Sequence, residues 1–184
     1  MMLLWYLDRA TALVAYPALY LAVITGVPYG APGMGALYDA ARRVHLEVAV
    51  FALIVTLAHA AIGLLDAAFV VTGAVPPPSY PIPYFVAGVV AGGGALALTV
   101  VAVLGFLDAR RFPRPWGPRV VHAFAYAGFA FGTVHAVAIG TDVGHVARVG
   151  ILVGSGFVGY LLLLRLADEV DWSVLRFRSS ETDA

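Results

Sequence analysis

The chain has no cysteine and no lysine, and only 12% of its 184 residues are charged. The missing cysteine excludes disulfides, iron–sulfur ligation and thiol catalysis. So little charge lies far below the roughly 25% of an average soluble domain. The charges also cancel, eleven basic against eleven acidic, so the concentrated basic surface that nucleic acid requires is missing. No Gly-x-Gly-x-x-Gly strand–turn–helix unit is present to bind a dinucleotide.

Hydrophobic residues make up 61% of the chain, and they fall in long runs. A hydrocarbon core of about 30 Å needs about 20 apolar residues per helix. Five such runs occur, over residues 9–27, 43–65, 83–107, 119–140 and 147–166. Pro28, Gly30, Pro32, Gly33 and Gly35 break the first connection, the run from Pro76 to Pro83 the second, and Pro113, Pro115, Gly117 and Pro118 the third. Gly140, Thr141 and Asp142 open a short fourth connection. The expected fold is therefore all-α: one polytopic five-helix transmembrane domain over residues 1–168, with residues 169–184 as a short cytoplasmic tail. The N-terminus does not read as a secretory signal, because Asp8 and Arg9 follow a short apolar run with no basic region before it. Pro17 is expected to kink the first helix.

Arginine sets the expected orientation. With five spans, the first loop, the third loop and the tail share one side. That side holds Arg42, Arg43, Arg110, Arg111, Arg114, Arg119, Arg165, Arg176 and Arg178, nine of the eleven, leaving Arg9 and Arg148 opposite. The positive-inside rule puts the N-terminus outside and the C-terminus in the cytoplasm of a cell-membrane protein.

Four of the five histidines lie within these runs, and imidazole in hydrocarbon is a functional hypothesis by default. His45 and His59 are 14 residues apart (59 − 45) in the second span, and His122 and His135 are 13 apart (135 − 122) in the fourth. Both spans run in the same direction, so the spacing pairs His45 with His122 near the cytoplasmic face and His59 with His135 farther out. At about 1.5 Å rise per residue the two levels are about 20 Å apart. Haem iron held by one histidine from each of two facing helices is the simplest chemistry that fits. Fourteen residues fall about 40° short of four turns, so His45 and His59 share a face, whereas thirteen fall about 140° short. The fourth helix is then expected either to be distorted, with Gly128 and Gly132 permitting it or letting a porphyrin lie close to the backbone, or to send its rings in from different flanks.

Other polar residues in the spans have less pointed readings. Arg42, Arg43 and Arg119 match propionate geometry, although topology setting alone also explains them. Glu47 is expected to pair with Arg43 one turn earlier. Tyr126 lies one turn beyond His122, where it can pack on a haem or bond within the bundle. Phe124, Phe129 and Phe131 read as lipid-facing or core residues, and the Gly92-Gly93-Gly94 run as close helix packing. Trp116, Trp172 and Tyr84 suit an interfacial belt. His145 sits beside Asp142 in the fourth connection, either solvated or near an outer acceptor.

The segment from Trp116 through Arg119, His122 and Tyr126 to His135, together with Arg42-Arg43-Val44-His45 and His59, resembles the ferric-reductase-like transmembrane domain. That family includes NADPH oxidases, metalloreductase-type ferric reductases and the haem-binding subunit of the bacterial methionine sulfoxide reductase system. The likeness covers roughly residues 40–140 and rests on the two histidine spacings taken together. It implies two b-type haems, each with two axial histidines, carrying electrons outward from a cytoplasmic donor. The chain departs from larger members in lacking a C-terminal flavin and nicotinamide domain and a sixth span. The donor is then a separate cytoplasmic flavoprotein or a quinol, and the acceptor lies on the outer side. Two alternatives stand beside this reading: a quinone-reactive membrane anchor of a dehydrogenase or reductase complex, and a haem-free transporter or scaffold with histidines as proton relays. No pair of short or broken inverted helices marks a transported substrate.

Overall fold

The computed structural model of the protein describes residues 2–27, 35–74, 81–111, 117–140 and 143–169. Among the described residues there are five helices and no strand: α1 (Met2–Gly26), α2 (Gly35–Val71), α3 (Ile82–Arg111), α4 (Gly117–Ile139) and α5 (His145–Glu169). Each contains a stretch long and apolar enough to cross a membrane. Helices form here because unbroken Ala, Leu and Val runs satisfy every backbone group internally. Pro83 and Pro118 sit in the first turns of α3 and α4, where a missing N–H costs nothing.

Several ends differ from the sequence expectation. The first helix begins seven residues earlier, at Met2, and the second starts at Gly35 rather than after it and continues to Val71. Its end is a capping motif that apolarity does not reveal. Gly73 takes φ +74°, its N–H donates to the Val70 carbonyl at 3.0 Å, and the Ala74 N–H donates to the Phe69 carbonyl at 2.9 Å. Only glycine enters that backbone region without cost. His145 opens α5 as its first residue instead of lying in a loop, and it is exposed; Asp142 lies outside the described residues. Trp116, Trp172 and the remaining tail beyond Glu169 lie outside them too, while Tyr84 is exposed at the start of α3.

Two tight antiparallel pairs, α1 with α2 and α3 with α4, account for most of the packing. The first closes on small residues, with Ala18 and Ala22 of α1 against Ala52 of α2, which is 1% exposed. The second closes on glycines: the missing Cβ of Gly94 lies where Phe131 packs, and that of Gly105 lies 3.2 Å from Val121. Small residues let helix backbones approach where no hydrophobic force separates protein from lipid. Lighter contacts join α1 to α4 and α2 to α3, which completes a four-helix ring, and α5 packs outside against α4 and α1. Among the described residues no Cα of α2 lies within 8 Å of one in α4. Those two helices face each other across the ring. Large apolar side chains cover the outside, including Ile54, Leu64, Val90 and Val153, each more than 60% exposed. Such a surface suits lipid far better than water.

A hydroxyl cluster ties α5 to the ring. The Tyr16 hydroxyl lies 2.8 Å from Ser155 Oγ and 3.2 Å from Thr133 Oγ1, and Thr133 Oγ1 lies 3.3 Å from Ser155 Oγ. The Tyr16 ring stacks on Phe129 at 5.8 Å, within the core shared with Val23, Val27 and Val158. Interhelical bonds of this kind are worth about 0.6–1.7 kcal/mol in a bilayer. Tyr16→Phe keeps the ring and removes both bonds, so unfolding in mixed detergent should show a loss of about 1 kcal/mol. Histidine geometry should be unaffected.

Candidate functional site

The ring brings the four histidines of α2 and α4 together in two couples. The His45 and His122 ring centroids are 6.1 Å apart with planes at 21°. The His59 and His135 centroids are also 6.1 Å apart, with planes at 64°. Side chains thus meet at two levels between helices whose backbones stay apart.

Helix α4 is continuous from Gly117 to Ile139 across the thirteen-residue spacing. His135 leans onto α3, where its Nδ1 donates to the Gly88 carbonyl at 2.8 Å, and its couple has the wider angle between ring planes. A Cβ on Gly128 would meet Leu98, Ala95 and Thr99 at ordinary distances, and one on Gly132 would enter open space.

Neighbouring helices hold three of the four imidazoles by Nδ1. His45 Nδ1 lies 3.2 Å from Thr25 Oγ1. The Thr25 hydroxyl proton already goes to the Leu21 carbonyl at 2.7 Å, so the threonine accepts and His45 donates. His59 Nδ1 lies 3.1 Å from Asp8 Oδ1, 3.2 Å from the Asp8 carbonyl and 3.5 Å from Thr11 Oγ1. Thr11 likewise gives its proton to Leu7 at 2.7 Å, which again makes the imidazole the donor. In His45, His59 and His135 the Nδ1 is therefore the donor, and the Nε2 is not engaged by these contacts. A metal-binding histidine has this arrangement, its second nitrogen donating to a carbonyl, hydroxyl or carboxylate.

Glycines make room for two of these rings. A Cβ on Gly26 would stand 2.8 Å from His45 Cε1, and one on Gly92 would stand 2.6 Å from His135 Nδ1. Real Cβ atoms do not approach so closely, so each ring occupies space that only glycine leaves. The triple-glycine run has a split role: Gly92 seats a histidine, Gly94 accommodates Phe131, and Gly93 meets nothing.

Of the remaining residues singled out by sequence, Tyr126 stands beside His122, ring centroids 6.1 Å apart. Arg43 is exposed, and its Nε donates to the Asp39 carbonyl at 3.3 Å. Among the described residues the expected Arg43–Glu47 ion pair does not form. Arg42 and Arg119 have backbones in α2 and α4, but their side chains lie outside the described residues. Asp8, Thr11, Thr25, Gly26, Gly88 and Gly92 are not singled out by sequence as parts of the site. Asp8 enters the sequence reading only with Arg9, as the polar pair that follows a short apolar run. Among the described residues no group of three or more His, Cys, Asp or Glu side chains converges on one point. The site is one of couples.

The family described as Domain of unknown function (DUF8596) matches residues 3–142, a stretch that takes in all four helices of the ring. No curated protein and no solved structure matches the chain.

Proposed function

The chain belongs to the DUF8596 family, and we propose that it is a transmembrane cytochrome b with two bis-histidine haems, held by His45 with His122 and by His59 with His135. The observation that carries this reading is the 6.1 Å spacing of both couples. A metal held between the two rings of a couple would stand their centroids about 6.2 Å apart, from a metal–imidazole bond of about 2.0 Å and roughly 1.1 Å to each ring centre. No Cα of α2 lies within 8 Å of one in α4 among the described residues, so the couples join helices whose backbones stand apart, as ligands of a group held between facing helices would. Donation from Nδ1 in three of the rings leaves Nε2 for iron.

When bound, b-type haems with both axial positions filled supply one-electron carriers and leave no iron position for a substrate. The chain's own residues do the rest. Thr25, Asp8 and the Gly88 carbonyl orient the ligands, Tyr126 walls the His122 side, and the apolar helices exclude water. Arg42, Arg43 and Arg119 are the proposed partners for propionates at the His45 level. In this reading the arginine-rich side is cytoplasmic, the N-terminus is outside, and the His59 level is the outer one in the cell membrane. Electrons enter from a separate cytoplasmic flavoprotein or a quinol and leave to an acceptor outside, consistent with the ferric-reductase-like resemblance.

The experiment is a reduced-minus-oxidised spectrum with haem quantification. A low-spin b-type signal with two haems per chain is expected, and haem-free protein after expression with ample haem would refute the reading. The ferric form should also give two unlike paramagnetic signals. Near-parallel ligand planes, at 21°, lift the degeneracy of the two iron π orbitals and give a rhombic spectrum. Planes at 64° largely restore it and give a strongly anisotropic one. Two identical signals would contradict the geometry.

A second reading, the quinone-reactive anchor, draws on an apolar groove of about 360 Å³ between α3 and α4. Val101, Leu104, Val121 and Phe124 line it, with Asp108 among them. Reduction by quinol alone, without any flavoprotein, would select this donor.

A further inference from the structure

The supports behind the histidines are not equivalent. Thr25 and the Gly88 carbonyl offer neutral oxygen to His45 and His135. His59 has a carboxylate oxygen, Asp8 Oδ1, at 3.1 Å, in addition to the Asp8 carbonyl and the Thr11 hydroxyl. Asp8 sits in the membrane-length stretch of α1, with 30% of its side chain exposed against 22% for His59. Asp8 Oδ1 lies over Gly63, one turn beyond His59, where a Cβ would stand at an ordinary contact distance of 3.4 Å.

We propose that Asp8 is the positioning residue that sets the reduction potential of the haem at the His59–His135 level. The inference rests on the two-haem reading above. The His59 Nδ1 proton goes to the Asp8 backbone carbonyl at 3.2 Å, and the carboxylate oxygen stands beside the ring at 3.1 Å without a hydrogen-bond partner of its own. Negative charge near iron would favour the ferric state, which carries one more positive charge than the ferrous. In a half-buried site that attraction is only weakly screened by salt. The charge would therefore lower the potential. Reduction there adds one electron to iron and needs no proton from Asp8.

The test is a redox titration of the haem-loaded protein as wild type, Asp8→Asn and Asp8→Glu. Asn keeps an oxygen at that position but removes the charge. Two haems should remain, and one midpoint should rise by at least a tenfold change in its reduction equilibrium, about 59 mV for one electron. The His45–His122 midpoint should not move. Asp8→Glu should restore the wild-type value. Selective loss of one haem in Asp8→Asn, with two retained in Asp8→Glu, would equally support the carboxylate clamp. Two unmoved midpoints in Asp8→Asn would overturn the proposal while leaving the two-haem reading intact. So would loss of both haems in both variants, which would show a packing role only. Wild-type protein without haem would refute the underlying reading instead.

Discussion

His45→Ala and His122→Ala should each bring the haem content from two per chain to one, and the haem that remains should be the same in both variants. His59→Ala and His135→Ala should form the complementary set, retaining the other. The expectation follows from the two separate couples. Each iron loses one of two protein ligands, and at a bis-histidine site that removes half of its protein coordination. The levels are about 20 Å apart along the helices, so emptying one leaves the other couple in place. Pyridine haemochrome quantification together with the paramagnetic spectrum reads this directly. His45→Ala should remove the rhombic signal and His59→Ala the strongly anisotropic one. A different grouping, such as His45 with His135, would refute the pairing. Equal loss of both haems in all four variants would mean that the histidines hold the bundle rather than two centres. His145→Ala is the natural control, since that exposed residue at the start of α5 belongs to neither couple.

Gly92→Ala should empty the His59–His135 site without touching any proposed ligand. The added methyl carbon would stand 2.6 Å from His135 Nδ1 and 2.9 Å from Cε1. The ring must move, and moving it breaks the 2.8 Å bond to the Gly88 carbonyl. Nothing flexible can yield in its place, because the clash is with the imidazole itself. Haem content should fall from two to about one, and the surviving signal should be the rhombic one. Gly26→Ala should do the same at the other level, where the new carbon would meet His45 Cε1 at 2.8 Å. Gly93→Ala supplies the contrast, because its Cβ would enter open space. That variant should keep both haems, and its helix should be no less stable, since alanine is the better helix former. Full haem content in Gly92→Ala would show that the ring does not depend on that space.

Five apolar runs, punctuated by proline and glycine, mark all five helices, and the folded chain departs from them only at the ends. The second helix runs on to Val71 because its stop is a backbone cap at Gly73, which hydropathy does not register. Spacing and helical rise are enough to sort the histidines into two levels. They say nothing of the supports. Thr25 and Gly26 precede His45 by twenty and nineteen positions, and Gly88 and Gly92 precede His135 by 47 and 43. Nothing in local periodicity links residues so far apart. Asp8 is legible in the chain only as a polar residue after a short apolar run, and its partner His59 lies on another helix.

Composition and the fixed rise and turn of a helix establish three things about this chain. It is all-α, five of its stretches are long and apolar enough for a membrane, and four imidazoles fall within two of them. Each is a property of one segment at a time. Which helices press together and which stay apart is a tertiary outcome. Small residues close α1 on α2 and α3 on α4, while α2 and α4 remain on the diagonal of the ring. Packing between helices also leans His135 on α3 and sets Asp8 beside His59. Those outcomes depend on shape complementarity between segments distant in the chain, which no single helix encodes.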